Sequence, residues 1–143
     1  MGARSNVDYV AGRTFTDRDG VIHASGMTKE VISTAVNRPM TQDESGSVVV
    51  VTAADKVITL PATQLGLEYT VMLGAGGLSS GTGLSVSPAA ADQIIGNGFT
   101  VADNKDAINT GSTDVVGDSI TLLGDGSVGW YVVNVTGTWA REA

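Results

Sequence analysis

Cysteine is absent from this 143-residue chain, so it can form neither a disulfide framework nor a thiolate metal site. Histidine occurs once, as His23, which leaves a Ser-His-Asp triad only one candidate base. Because His23 lies in a predicted hairpin near the N-terminus, we expect it to have a surface or packing role. We therefore expect no catalytic residues and no enzymatic activity.

Positive charge is also scarce. Eight Lys or Arg residues oppose 15 Asp or Glu residues, which gives a net charge of −7 and a pI of about 4.4. Such a chain is not attracted to nucleic acid phosphates or anionic lipid, so we expect neither as a partner. Residues 1–46 are nearly neutral, whereas residues 47–143 carry almost all of the net negative charge. A basic partner surface would be steered towards this second part.

Long apolar runs are missing. No run approaches the roughly 20 residues that a membrane-spanning helix needs, and the longest, Val48–Val51, has the length of a strand. The first six residues contain no apolar stretch that could form the core of a signal peptide. We expect a soluble protein that is made inside the cell.

Glycine, by contrast, is frequent, with 19 residues, while charged residues make up only 16% of the chain. This composition favours short strands and tight turns over surface helices. From Ser47 onward, turn residues recur about every 8 to 12 residues, and about eight short strands are predicted. The valine run in Ser47–Thr52 is typical of a strand that is buried on both faces. Asp125-Gly126 predicts a hairpin turn before the last strand. The predicted fold is all-β, a jelly-roll or Greek-key β-sandwich over residues 47–143.

Residues 1–46 are polar and interrupted by glycine, and they are predicted to form an extended N-terminal arm. A hairpin is possible within the arm, because Arg13–Thr16 and Val21–Ala24 flank the turn sequence Asp17–Gly20. Thr28–Val36 could form one short helix, although its β-branched residues weaken that prediction. Pro39 would end such a helix.

Two polar patterns could carry chemistry, and each has a plainer interpretation. The glycine-rich stretch Gly74–Gly77 lacks a following Gly-Lys-Ser or Gly-Lys-Thr, so a flexible loop explains it better than a nucleotide site. Four acidic residues could offer oxygen ligands to calcium or pair for glycoside hydrolysis, but we expect solvated turn residues; they are Asp103, Asp106, Asp114 and Asp118. We therefore predict no cofactor and no metal.

Aromatic residues are few and scattered, which favours core or subunit contacts over an exposed sugar-binding platform. Trp130 and Trp139 are candidate anchors for a partner, and burial in the chain's own core is an equal alternative for both. In the last strand, Tyr131, Val133 and Val135 are predicted to share one face. The complete set of candidate partner-binding residues is Tyr9, Phe15, Val31, Ile32, Arg38, Trp130 and Trp139.

A series of short motifs in roughly residues 47–140 resembles a β module of tailed-phage virion proteins, especially head cement or decoration proteins. In chain order the motifs are Ile58-Thr59-Leu60-Pro61, Gly66-Leu67-Glu68-Tyr69-Thr70-Val71, Gly117-Asp118-Ser119-Ile120-Thr121-Leu122, Asp125-Gly126-Ser127-Val128-Gly129-Trp130-Tyr131-Val132 and Gly137-Thr138-Trp139. The resemblance implies a jelly-roll-like domain on the outer surface of the capsid, in a virion assembled in the bacterial host cytoplasm. Its partner would be the major capsid protein, whose neighbouring subunits it would bridge.

Two points stay open at the level of sequence. The protein is expected to form a homo-oligomer, with a dimer preferred over a trimer because two-fold assemblies are the most common. The alternative function is a tail fibre, spike or glycan-binding β domain. That function would require exposed aromatic residues around a concave site.

Overall fold

The computed structural model describes the backbone of three short strands in residues 8–23, and all of residues 29–75, 83–110 and 112–143. Within these residues the regular structure is β, apart from one 3-10 helix at Gln42–Glu44. The strands are β1 Asp8–Val10, β2 Thr14–Thr16, β3 Ile22–His23, β4 Val31–Thr34, β5 Arg38–Pro39, β6 Val48–Val51, β7 Val57–Thr59, β8 Glu68–Leu73, β9 Leu84–Ser87, β10 Gln93–Ile95, β11 Ala107–Asn109, β12 Ser119–Gly124, β13 Gly129–Thr136 and β14 Trp139–Arg141.

Two mixed sheets enclose one hydrophobic core. The six-stranded sheet has the order β10-β13-β12-β8-β6-β4, and the five-stranded sheet has the order β14-β11-β9-β7-β5. Val49, Val71 and Leu122 of the larger sheet belong to the same buried cluster as Ile58 and Val86 of the smaller sheet. All five side chains are completely buried. The predicted all-β sandwich is therefore confirmed.

From β4 to β9 the chain alternates between the two sheets. Each pair of consecutive strands, which we call a coil, therefore adds one strand to each sheet, and the first coil is β4 with β5. β4, β6 and β8 are parallel in the larger sheet, and β5, β7 and β9 are parallel in the smaller one. We call residues 31–87 the coiled half. Its central strand β6 is the valine run Val48–Val51, a composition that suits a strand with parallel neighbours on both sides.

The rest of the sandwich is largely antiparallel, and we call residues 107–141 the meander half. β12 pairs antiparallel with both β8 and β13, and β11 pairs antiparallel with both β9 and β14. The predicted turn between β12 and β13 is confirmed. The Asp125 carboxylate accepts hydrogen bonds from the backbone N–H groups of Gly129, Ser127 and Val128 at 2.8–2.9 Å. These hydrogen bonds hold the pKa of Asp125 below its ordinary value.

A β-bulge changes which residues of β13 face outward. The register with β12 shifts between Thr121 and Leu122, and Val133 is the extra residue on β13. Val135, on the far side of the bulge, packs against the core, while Tyr131 and Val133 remain exposed. The prediction that these three residues share one face is therefore wrong, because the bulge interrupts the two-residue alternation.

The N-terminal residues contribute a small sheet of their own and the first strands of the sandwich. β2 and β3 pair antiparallel, which confirms the hairpin, and β1 pairs with the other side of β2. The helix predicted for Thr28–Val36 is wrong: this segment contains β4, where its β-branched residues suit a pleated sheet. β5 lies in the five-stranded sheet, so residues 31–39, which the predicted arm included, form part of both sheets.

Candidate interaction surface

Among the residues that the structure describes, the first strand of the coiled half has one edge without a partner strand. β4 is the outermost strand of the six-stranded sheet, and within this described part of the chain it pairs only with β6. The Val48 N–H donates to the Glu30 carbonyl oxygen at 2.9 Å. Because bonding alternates along a parallel strand, every second residue from Glu30 faces β6. The residues between them, Val31 and Ser33, direct their N–H and C=O groups away from the sheet. We call these four groups the open edge.

The corresponding edge of the five-stranded sheet is closed by a proline. The Met40 N–H donates to the Thr59 carbonyl oxygen at 2.8 Å, so the preceding residue, Pro39, faces away from β7. Proline has no N–H to offer to an added strand, and proline on an edge discourages pairing. The two outer edges of the first coil, those of β4 and β5, therefore differ. The edge of β4 presents backbone N–H donors, whereas Pro39 on the edge of β5 presents none.

Polar contacts fix the first coil against the body of the sandwich. Glu44 forms an ion pair with the Arg38 guanidinium and accepts a hydrogen bond from the Thr41 N–H at 2.9 Å. The Tyr69 hydroxyl donates to the Thr41 carbonyl oxygen at 2.7 Å. Partial burial acts to raise the pKa of Glu44, but the bonds from Thr41 and Arg38 together hold it below its ordinary value. Burial, reinforced by the charges of Glu44 and Asp43, raises the pKa of Tyr69.

The outward surface of the six-stranded sheet is mainly apolar. We define the outer face by the side chains of the six-stranded sheet that point away from the core. These are the residues that alternate with the core residues along each strand, together with the one that the bulge turns outward. Val31, Tyr131 and Val133 are 60%, 46% and 50% exposed, which is high for large apolar residues in regular strands. The apolar members of the outer face are Val31, Val48, Val50, Met72, Ile95, Leu123, Tyr131 and Val133. An exposed apolar sheet surface of this kind is typical of a contact surface.

Charge is nearly missing from the outer face. Among the outward residues of its six strands, Glu68 is the one ionisable carboxylate, and no Lys or Arg accompanies it. The polar residues at its centre satisfy each other, because the Thr70 and Thr121 hydroxyl groups lie 2.8 Å apart, within hydrogen-bond distance. A partner would therefore meet hydrocarbon and a few neutral hydroxyl and amide groups, the amides being those of Gln93 and Asn134.

The structure separates the residues predicted to bind partners. Trp130 is completely buried and packs against Tyr69, with ring centroids 5.6 Å apart, so it is a core residue and not a surface anchor. Trp139 is half-buried against the core, and its Nε1–H donates to the Thr136 carbonyl oxygen at 3.0 Å. The Arg38 guanidinium is engaged by Glu44, as described above.

The remaining four candidates lie at the N-terminal end of the described chain. Ile32 points inward and packs against the core, while its neighbour Val31 stands exposed beside the open edge. Tyr9 and Phe15 are backbone partners in the small sheet, and their side chains lie outside the described residues. The structure thus brings Val31 to the candidate surface and removes Trp130 and Ile32 from it.

The acidic residues singled out as calcium candidates do not assemble into a site in the part of the chain that the structure describes. No three His, Cys, Asp or Glu side chains converge there to hold a metal ion. Asp118 instead joins the two sheets: its Oδ2 accepts hydrogen bonds from the Asn109 side-chain amide and the Val115 N–H, both at 3.0 Å. The same amide donates to the Thr138 carbonyl oxygen at 3.1 Å. Asp118 therefore has a structural role, because its carboxylate links the two sheets.

Asp106 stands apart from this network. Burial is the main cause that raises its pKa, and the nearby carboxylate of Glu142 adds to the effect. The Ser87 hydroxyl and Lys105 act in the opposite direction without cancelling it. Asp106 is thus a carboxylate whose ionisation the fold opposes.

The chain matches no protein-family model and no curated protein. No helix among the described residues has the length and apolarity needed to cross a lipid bilayer.

Sequence reasoning missed most of the outer face. Val48, Val50 and Met72 belong to strands that were correctly located, but a strand's sequence does not say which of its faces the core will cover. One indication was available. The valine run has no polar alternation, so one half of its side chains had to be left on an apolar outer surface unless another layer covered them.

Proposed function

We propose that this chain is a structural virion protein that cements the outside of a tailed-phage head by bridging neighbouring major capsid protein subunits. Support comes from the sequence resemblance and, in the structure, from the contrast between the open edge of β4 and the proline-closed edge of β5. An edge strand with free backbone donors and acceptors is a template for strand addition. It is the observation that carries this proposal.

In the proposed contact, an extended segment of the capsid protein pairs with β4. Val31 and Ser33 offer two N–H groups and two carbonyl groups to the incoming strand. The exposed Val31 side chain adds apolar contact beside the backbone bonds. Backbone pairing gives affinity with little dependence on the partner's sequence, and the side chains beside it give specificity.

The distribution of charge suits a basic partner segment. Residues 47–143 hold three Lys or Arg against nine Asp or Glu, so the body of the sandwich attracts a basic chain. This attraction is long-ranged and weakens with salt, whereas the backbone bonds at the edge do not depend on charge. We therefore expect salt to slow association more than it speeds dissociation.

Proline substitution at the open edge tests the proposal. Purified heads that lack the protein are mixed with the full-length chain, and binding is measured by co-sedimentation. Val31→Pro removes an N–H that points away from β6, so it should reduce binding by about tenfold or more, from the lost hydrogen bond and the obstructed strand pairing. Val31→Ala, which keeps the N–H, should bind within a few-fold of the wild type.

A second proline controls for folding. The Ile32 N–H faces β6, so Ile32→Pro should lower the melting temperature, whereas Val31→Pro should leave it nearly unchanged. Wild-type affinity of a folded Val31→Pro variant for the heads would contradict the contact through β4. A wild-type chain that ignores the heads at every concentration would contradict the proposed function itself.

A glycan-binding fibre or spike domain is the second candidate, and one observation favours it. Tyr131 is an aromatic side chain that is 46% exposed on a sheet face, where a sugar ring could stack. Glycan-array binding that is lost in Tyr131→Ala would replace the cement proposal with this one.

A further inference from the structure

We infer that the outer face of the six-stranded sheet is the contact between two copies of this chain, which pack face to face around a two-fold axis. This inference extends the proposed function. The role of the dimer in bridging capsid subunits rests on that function, but the existence of the dimer does not. The surface, the partner and the geometry follow from the described residues alone.

The shape of the outer face favours another sheet as its partner. Register pairing sets its side chains in rows across the strands, and one such row runs through Val31, Val48, Thr70 and Thr121. The neighbouring row contains Val50 and Met72. Rows of short and medium side chains such as these can interdigitate with a second sheet about 10 Å away, with the strand directions about 30° apart.

The distribution of charge favours a second copy of this chain as the protein that covers the outer face. Two chains that each carry −7 repel one another wherever acidic surfaces meet. Glu68 is the only Asp, Glu, Lys or Arg among the described residues of the outer face, and it lies at the first position of β8, near one end of the face. Self-association through this face therefore avoids most of the repulsion. A basic partner protein would gain nothing there, because the face has almost no negative charge to attract it.

The area indicates a weak dimer. With strands about 4.8 Å apart and a rise of about 3.3 Å per residue, the six strands span roughly 24 by 17 Å, or about 400 Å² in projection. Two copies would bury about 800 Å² or somewhat more, which is below the roughly 1,200–2,000 Å² of stable interfaces and in the range of weak contacts. We therefore expect a dissociation constant in the micromolar range, so the dimer forms in concentrated solution or on a surface that gathers the chains.

The dimer would leave both open edges free. Backbone hydrogen bonds at an edge lie in the plane of the sheet, whereas the outer face is perpendicular to that plane. Face-to-face packing therefore does not cover the N–H and C=O groups of Val31 and Ser33. A dimer then presents two strand-addition sites, and binding both to one shell raises the overall affinity without any new contact. This bivalency is what a bridging subunit needs.

Sedimentation of the full-length chain over a range of concentrations tests the inference. The wild type should shift from monomer to dimer in the micromolar range. Val133→Lys places a charge in the interface and should weaken dimerisation by at least about tenfold. Val116→Lys is the matched control, since Val116 is 54% exposed and Val133 is 50% exposed, but Val116 lies outside the six-stranded sheet. This control should dimerise like the wild type.

Met72→Lys provides a second variant near the middle of the face. Its half-buried aliphatic stem can keep the contacts of methionine while the ammonium group reaches the surface, so folding should survive. Circular dichroism confirms the fold of each variant. Dimer loss in both face variants but not in the control supports the inference. A wild type that stays monomeric, or equal dimerisation of all the variants, would overturn it.

The head-binding assay separates this inference from the proposed function. If the chain dimerises through the outer face yet ignores heads, the interface stands and the cement function fails. If monomeric Val133→Lys still binds heads as tightly as the wild type, bivalent bridging by the dimer is excluded. Reduced head binding by Val133→Lys, with Val116→Lys unchanged, supports both.

Discussion

The coiled half and the meander half build one sandwich by different means. In the coiled half, parallel strands repeat one after another, and the valine run of β6 lies between two parallel neighbours. In the meander half, antiparallel strands are joined by a tight turn and by buried polar contacts such as those of Asp118. The open edge lies at the first strand of the coiled half, and β14 forms an edge at the end of the meander half.

The two halves meet in an aromatic contact. Tyr69 comes from the coiled half and Trp130 from the meander half, both are completely buried, and their rings are tilted by 54°. Such pairs add stability beyond the area that they bury. Since this contact spans the boundary, its loss should affect both halves together.

Truncation of Trp130 should therefore have the largest effect. Trp130→Ala leaves a cavity between the halves and should lower the free energy of unfolding by about 3–5 kcal/mol, as measured by urea denaturation. Tyr131→Ala, one residue away on the exposed side of the same strand, should cost less than about 1 kcal/mol. Similar losses in the two variants would show that the halves are not joined through Trp130.

The polar network of the meander half should come next. Asp118→Ala removes the acceptor for both the Asn109 amide and the Val115 N–H, leaving the amide buried with one partner, and should cost about 2–3 kcal/mol in the same measurement. Asp114→Ala is the comparison, because the Asp114 Oδ2 is buried without a hydrogen-bond partner. That substitution should be nearly neutral, and a loss as large as that of Asp118→Ala would mean that the network is wrongly assigned.

The smallest expected effects are changes of stability with pH. Glu44 and Asp106 are expected to affect stability in opposite directions. The folded pKa of Glu44, beside the first coil, is lowered, so its stabilisation is present above the ordinary value of 4.5 and is lost as the pH falls through the folded pKa. The folded pKa of Asp106 is raised, so it destabilises the fold above that pKa and is relieved towards the ordinary value of 3.8.

Thermal melts between pH 3 and 7 distinguish the two carboxylates. At neutral pH, Glu44→Gln should lower the melting temperature and Asp106→Asn should raise it, each by the equivalent of less than about 1 kcal/mol. Both differences from the wild type should shrink in acid. Shifts of the same sign at neutral pH would contradict the contrast between the regions.

Local sequence patterns predicted much of the sandwich. The valine run of β6 and the Asp125-Gly126 turn each depend on neighbouring residues, so both could be located from the sequence. Parallel pairing is not local: Val31, Val48 and Thr70 are register partners although they are 17 and 22 residues apart. Because these spacings are unequal, the coils leave no fixed repeat in the sequence.

The candidate surface was harder to predict for the same reason. Trp130 and Tyr131 are adjacent aromatic residues, and only the pairing of β13 decides that the first is buried and the second exposed. The bulge at Val133 then reverses the alternation for the rest of the strand. Val31 was among the predicted partner-binding residues, but its segment was predicted as a helix, because the strand with which it pairs lies further along the chain.

Pro39 has a consequence beyond its own strand. A coil whose two edges were both free could pair in both sheets at once with a coil of another molecule. Pro39 has no N–H to offer on one sheet, while the N–H groups of Val31 and Ser33 remain available on the other, so an added strand can pair at β4 but is disfavoured at β5. Replacing Pro39 with a residue that has an N–H would restore a donor at the second edge and so permit this double pairing.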